Sequence, residues 1–204
     1  MTSIDSVTLE VADTDAARSF YTAAFDLDSH LNLQPSDAPT SGFRGFTLSL
    51  TVSQPSTVDS LVGTALEAGA TALKPPTKSL WGYGGVVRSP DGTIWNIATS
   101  SKKETGPATR AFDSFVLLLG VSDVAASKRF YQERGLTVSK SFGRTYAEFD
   151  TGSSPVKLAV YRRRALAKSA GVPEDGSGSH RLVISGDLGP CVDPDGFAWE
   201  TPSN

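Results

Sequence analysis

Apolar and polar residues alternate from Ser6 to Val11, a strand pattern. Behind a capping residue at Asp13 or Thr14, apolar side chains then recur at helical spacing at Ala16, Ala17, Phe20, Tyr21 and Ala24. The same succession returns later: Phe115 to Val121 reads as a strand, Ser122 or Asp123 as a cap, and Ala126, Phe130 and Tyr131 as a buried stripe. Between them, Phe46 to Val52 reads as a strand. A helix then opens at Pro55, turns Val58, Leu61, Val62, Ala65 and Leu66 inward, and stops at Gly69. Further strands are expected at Ala72-Leu73, Gly85 to Arg88 and Thr93 to Ala98, and, in the second half, at Thr137 to Phe142, Arg144 to Asp150, Val156 to Tyr161, His180 to Ser185 and Phe197 to Thr201. The pattern predicts three principal helices, near residues 14 to 25, 56 to 68 and 123 to 134, and no long helix between His180 and Pro194.

Two short motifs occur twice and in the same order. Val11-Ala12-Asp13 with Ala16 and Phe20-Tyr21 returns as Val121-Ser122-Asp123 with Ala126 and Phe130-Tyr131; Pro90-Asp91-Gly92 with Trp95 returns as Pro194-Asp195-Gly196 with Trp199. Repetition of turn, cap and core residues in register implies copies of one structural unit. A Ser-, Lys- and Thr-rich segment separates the copies, so the division expected is 1–100, a linker at 101–110, and 111–204. Spacing between the motifs leaves each half one complete strand-helix-three-strand unit and one shortened unit. The complete units, roughly Gly45 to Ser100 and Ala111 to Tyr161, would lie side by side as a curved sheet with a ligand cleft between them.

Composition narrows the classes of function. A chain of 204 residues with 39% hydrophobic and 20% charged residues can bury a sizeable core, and its net charge of −3 offers no basic surface for nucleic acid. Arg162-Arg163-Arg164 is one short basic run, read as a solvated face before the helix-like Ala165-Leu166-Ala167-Lys168. Met1 to Asp5 has no leader pattern and the longest apolar run, Phe115 to Leu119, is too short to span a bilayer, so the expectation is a cytoplasmic protein without membrane or nucleic-acid partners. Cys191 is the single cysteine, which rules out an internal disulfide.

An opening strand, a Val-x-Asp cap, a helix with Phe-Tyr, and a late Pro-Asp-Gly-x-x-Trp turn resemble the vicinal oxygen chelate superfamily, which contains glyoxalase I, extradiol dioxygenases and bleomycin resistance proteins. The resemblance implies an α+β fold of tandem βαβββ modules forming cup-shaped mixed sheets, here two glyoxalase-like halves with shortened first and last modules. It also implies metal-ligand positions on opening and closing strands. Carried over by motif, these are Ser6, Phe46, Val116 and His180, with Asn96 and Glu200 after the turns. Only His180 and Glu200 are strong donors. His30, the other histidine, follows the first helix. A catalytic Zn, Ni or Fe site needs three protein ligands, so the cofactor expectation is none, with such a divalent metal as the alternative.

The segment Leu80-Trp81-Gly82-Tyr83-Gly84-Gly85 frees two aromatic side chains to face a cleft. The ligand-binding set expected from the sequence is Trp81, Tyr83, Phe46, Trp95, Tyr146 and Tyr161, with Arg144 or His180 as a polar anchor at the rim. Structural readings stand beside these: Trp95 and Trp199 as core plugs, His180 as an exposed strand-start residue, Glu200 as a solvated end. The function expected is binding of a small planar or aromatic molecule without metal catalysis, as in bleomycin-resistance-type proteins, against a metal-dependent lyase or dioxygenase. Completion of the shortened modules by a second copy of the chain is the partner arrangement the pattern leaves open.

Overall fold

In the computed structural model, residues 2–27, 31–80 and 82–202 are described; His30 and Trp81 lie outside them. From the N-terminus run β1 (Ile4–Val11), α1 (Thr14–Phe25), β2 (Leu31–Pro35), β3 (Thr40–Gly42), β4 (Phe46–Thr51), α2 (Pro55–Glu67), β5 (Thr71–Ser79), β6 (Gly82–Arg88) and β7 (Ile94–Thr99). The second set is β8 (Ser114–Val121), α3 (Val124–Glu133), β9 (Thr137–Phe142), β10 (Tyr146–Asp150), β11 (Val156–Arg162), α4 (Arg163–Ala170), β12 (Gly176–Gly178), β13 (Leu182–Gly186), β14 (Cys191–Val192) and β15 (Ala198–Glu200). Among the described residues no helix is long and apolar enough to cross a membrane.

Local chemistry explains the repeated motif. Asp13 is the cap of α1 rather than Thr14: in extended backbone its carboxylate accepts from the amides of Asp15 and Ala16. Asp123 does the same for Ala125 and Ala126 at α3. Both caps satisfy amides that a helix start otherwise leaves unbonded.

The two repeated motifs are each other's partners. Tyr21, from the Phe-Tyr pair, donates to Asp91 of the first Pro-Asp-Gly turn and contacts the Ser89 hydroxyl. Tyr131 donates to Asp193 at 2.7 Å, beside the second turn. Each tyrosine is buried and ties a helix to the turn that carries a core tryptophan, Trp95 or Trp199.

Strand pairing joins the two halves three times, the smallest pair being β3 with β12. The complete units meet through the antiparallel β4–β8 pair, giving an eight-stranded sheet in the order β5-β6-β7-β4-β8-β11-β10-β9. The shortened units meet through β1 and β13 in a five-stranded sheet, β14-β15-β13-β1-β2. Each shortened unit is therefore extended by the other within one chain. Leu48, Trp95, Leu117 and Leu158 on one sheet and Val7, Leu9 and Ile184 on the other share a single core with α1, α2 and α3.

A fourth helix departs from the expected three. α4 presents Leu166, Ala167 and Ala170 to the opposite face of the eight-stranded sheet, where they pack with Phe43, Val86 and Ile94 in a second, smaller cluster. Gly171 ends the helix in the left-handed conformation at φ 78°. The arginine run is only partly a solvated face: Arg162 and Arg164 are exposed. Arg163, however, donates to the Phe43 carbonyl at 2.6 Å and to the Glu174 carbonyl at 3.0 Å.

Candidate functional site

Strand alternation decides which side chains reach the face beneath α4. Because Leu48 and Leu50 enter the main core, Thr47 and Ser49 point the other way; the register Ser49↔Asn96, Thr47↔Leu118 and Tyr146↔Tyr161 adds Asn96, Leu118 and the two tyrosines to that face. Asn96 donates to the Ser49 hydroxyl at 3.2 Å. A cavity of about 80 Å³ remains between this pair, Thr47, Leu118 and the Leu166–Ala170 side of α4. Gly120 lets the helix approach, since a Cβ there would meet the Gly45 carbonyl at 2.8 Å and Leu166 at 3.2 Å. Lys74 secures the far end of the helix by donating to the carbonyls of Lys168 and Ser169.

On the other side of α4 the tyrosines form a wall. Tyr146 and Tyr161 meet edge to face at 5.7 Å between centroids. The Tyr146 hydroxyl donates to Glu148 at 3.1 Å. Burial, and then the neighbouring Glu148 carboxylate, push the Tyr146 phenol well above its ordinary pKa, so it stays a neutral donor. Arg144 is exposed in the turn just before Tyr146.

Other residues of the expected aromatic set lie elsewhere. Phe46 is 2% and Trp95 0% exposed, both inside the main core. The assignment of Phe46 to the cleft is one residue out of phase, and Thr47 occupies the corresponding outward position. Tyr83 lies on the helix-bearing face of β6, where its hydroxyl donates to Asp59 of α2 at 2.7 Å. Trp81 lies outside the described residues. The structure thus brings Tyr146 and Tyr161 together and separates them from Phe46, Trp95 and Tyr83. Ser49 and Leu166 have no place in the expected set, and Asn96 was expected only as a weak ligand position after the turn; the Leu48/Leu50 alternation held the signal for Ser49, while nothing local announced that α4 would fold back.

The donor set does not fit the metal that the fold family implies. Both ring nitrogens of His180 face carbonyl oxygens, those of Arg44 and Asp195, and its ring stacks on Phe197 at 4.0 Å. Both ring nitrogens are thus turned towards backbone carbonyls in this arrangement and neither is directed at Glu200. Glu200 accepts from Ser185 at 2.8 Å and lines an open polar cleft of about 550 Å³ on the five-stranded sheet, together with Asp5, Ser6, Thr8 and Asn32. Among the described residues no three His, Cys, Asp or Glu side chains gather. Two carboxylates among hydroxyl and amide groups do not make the three-donor site of a Zn, Ni or Fe enzyme.

No protein-family model and no curated protein sequence matches the chain. Solved structures match along nearly all of it. Glyoxalase I from Zea mays aligns at 13% identity with a TM-score of 0.63, covering 98% of this chain and 91% of that one. A putative dioxygenase from Bacillus subtilis aligns at 12% identity with a TM-score of 0.59, covering 95% of this chain and 71% of that one. Identities this low speak for the fold alone. The chain has the vicinal oxygen chelate fold, built from tandem glyoxalase-like βαβββ units in curved sheets.

Proposed function

We propose that the protein binds a small planar organic molecule, without metal catalysis, on the α4-covered face of the eight-stranded sheet. The observation that carries this reading is the content of that face. That face carries Thr47, Ser49, Asn96, Leu118 and Tyr161, none of them a carboxylate, imidazole or thiolate, and Asn96 is one of the ligand positions the resemblance implies. Hydroxyl, amide and aromatic groups recognise an organic ligand by hydrogen bonds and ring contact. Tyr146 and Tyr161 supply ring surface, Ser49 and Asn96 polar recognition, and Arg144 a charge at the rim.

The 80 Å³ beneath α4 is too small for a whole ligand, so binding shifts the helix. The apolar contact of α4 is one leucine and two alanines, whose burial is worth about 3 to 5 kcal/mol, beside the bonds of Lys74 and Arg163 at its two ends. A ligand that replaces those contacts can offset that cost.

The test is a screen of planar aromatic compounds by amide chemical shifts in labelled protein, with glyoxalase turnover of the methylglyoxal–glutathione hemithioacetal measured in added Ni and Zn. Binders should move the resonances of Ser49, Asn96 and Leu166, and Tyr161→Ala should weaken them about tenfold. Binders that map to the far side of the sheet, or metal-dependent turnover abolished by Glu200→Ala, would replace this reading with the lyase or dioxygenase one.

A further inference from the structure

We infer that a second cleft, bounded by Thr40–Arg44, Gly92 and the Val172–Asp175 segment, is a binding site for the oxyanion of a small molecule, a carboxylate or phosphate group held by Arg44 and Arg88. The cleft encloses about 330 Å³ and opens at the end of the eight-stranded sheet. The inference does not rest on the ligand site proposed beneath α4.

Unused hydrogen-bonding capacity converges there. Among the described residues, five buried side-chain polar atoms make no hydrogen bond, and two of them, Thr40 Oγ1 and Arg44 Nη1, belong to residues lining this cleft. Buried donors are almost always paired in native proteins, so two orphans on one cavity call for a missing acceptor. Arg44 is anchored on its other side, donating from Nη2 to the Asp91 carbonyl. Arg88 is exposed at the cleft, and its guanidinium has no partner among the described residues.

The charges facing Arg44 are unbalanced. Burial first, and then the like charges of Arg181 and Arg88, hold its guanidinium below the ordinary arginine range, while Asp91 acts against them. The Asp91 carboxylate is already occupied by Tyr21, Ser89 and Thr93. Arg181 is committed to the Ala38 carbonyl. Among the described lining residues Asp175 is the one carboxylate, and the charges acting on Arg44 are those of Asp91, Arg181 and Arg88. A bound oxyanion would supply the second negative charge, in the planar fork geometry that guanidinium groups favour. Gly92 keeps the site open: a Cβ there would sit 2.9 Å from Arg44 Nη2.

Labelled protein titrated with inorganic phosphate, and separately with benzoate, against sodium chloride at matched ionic strength tests this directly. Saturable shifts are expected at the amides of Thr40 to Arg44 and Gly92 with at least one of the two anions, and none with chloride; which anion saturates identifies the group recognised. Arg44→Gln also removes a bond that holds the Asp91 turn, so Arg88→Gln carries the test; it should weaken binding about tenfold while leaving the thermal midpoint unchanged. Asp175→Asn should tighten binding a few-fold. Linear shifts that never saturate, as a buried water at Arg44 Nη1 would give, or unaltered affinity in Arg88→Gln, would overturn the inference.

Discussion

Trp95→Ala should destabilise the protein by about 3 to 5 kcal/mol, the range for removing a large aromatic side chain from a packed core. Trp95 is fully buried, with ring centroids 5.5 Å from Tyr21, 4.8 Å from Phe25 and 5.9 Å from Phe115, the last nearly parallel. Those partners come from α1 and from β8, two strands away in its own sheet. The ring therefore joins the first helix, the first complete unit and the opening strand of the second. Its Nε1 makes no hydrogen bond, so the loss is one of packing and cavity formation. The checks are the urea unfolding midpoint and, where enough folded variant remains, the affinity of any compound bound beneath α4. A variant less than about 1.5 kcal/mol weaker, or one that keeps its stability and loses the ligand, would put Trp95 in the binding site and out of the core.

The contrast between Trp95 and its sequence context shows what was legible and what was not. Periodicity placed α1, α2 and α3 within a residue or two, because each buries a continuous stripe and each begins at a residue that chemistry marks: Asp13, Pro55 and Asp123. The absence of a helix between His180 and Pro194 was legible for the same reason, since the spacing leaves no room. Strand neighbours were not: β3 and β12 are three residues each and exist only because Ser41 and Ser177 meet across 136 positions of chain. α4 was legible as a helix-like run, but its role required knowing that Leu166 would meet the β4–β8 face. For the site, a list of aromatic residues does not say which face of a strand each occupies. A one-residue change of phase moved Phe46 into the core and put Thr47 in the cleft. The repeated motifs marked contacts within the fold, Tyr21 to Asp91 in the first copy and the Ser122 amide to Asp195 in the second, with Tyr131 bonded to Asp193 just before the second turn, and this structural demand accounts for their repetition without reference to any ligand.

The contact of Tyr131 with Asp193 supports a prediction with two arms. Asp193 is 4% exposed and accepts three hydrogen bonds: from the Tyr131 hydroxyl at 2.7 Å and from the amides of Asp195 and Phe197 at 2.9 Å each. Asp193→Ala strands all three donors, and with about 1 to 3 kcal/mol lost per unsatisfied buried group, less the relief of a buried charge, the net cost should be about 3 kcal/mol. Asp193→Asn keeps the shape and an acceptor oxygen, and should stay within about 1 kcal/mol of the parent at neutral pH. The pH dependence separates charge from shape. Burial, opposed by those hydrogen bonds, pushes the Asp193 carboxyl above its ordinary value of 3.8. The folded state then holds a proton that the unfolded chain has released. The stability from this group is greatest below the ordinary carboxylate value and is lost as pH rises through the raised one. Asp193→Asn has no such titration, so its stability relative to the parent should climb from about pH 4 through the raised value and level off above it. Urea unfolding of both proteins across that range measures the difference. A gap independent of pH, or one that narrows as pH rises, would mean that hydrogen bonding to the carboxylate outweighs its desolvation and that the charge stabilises the turn.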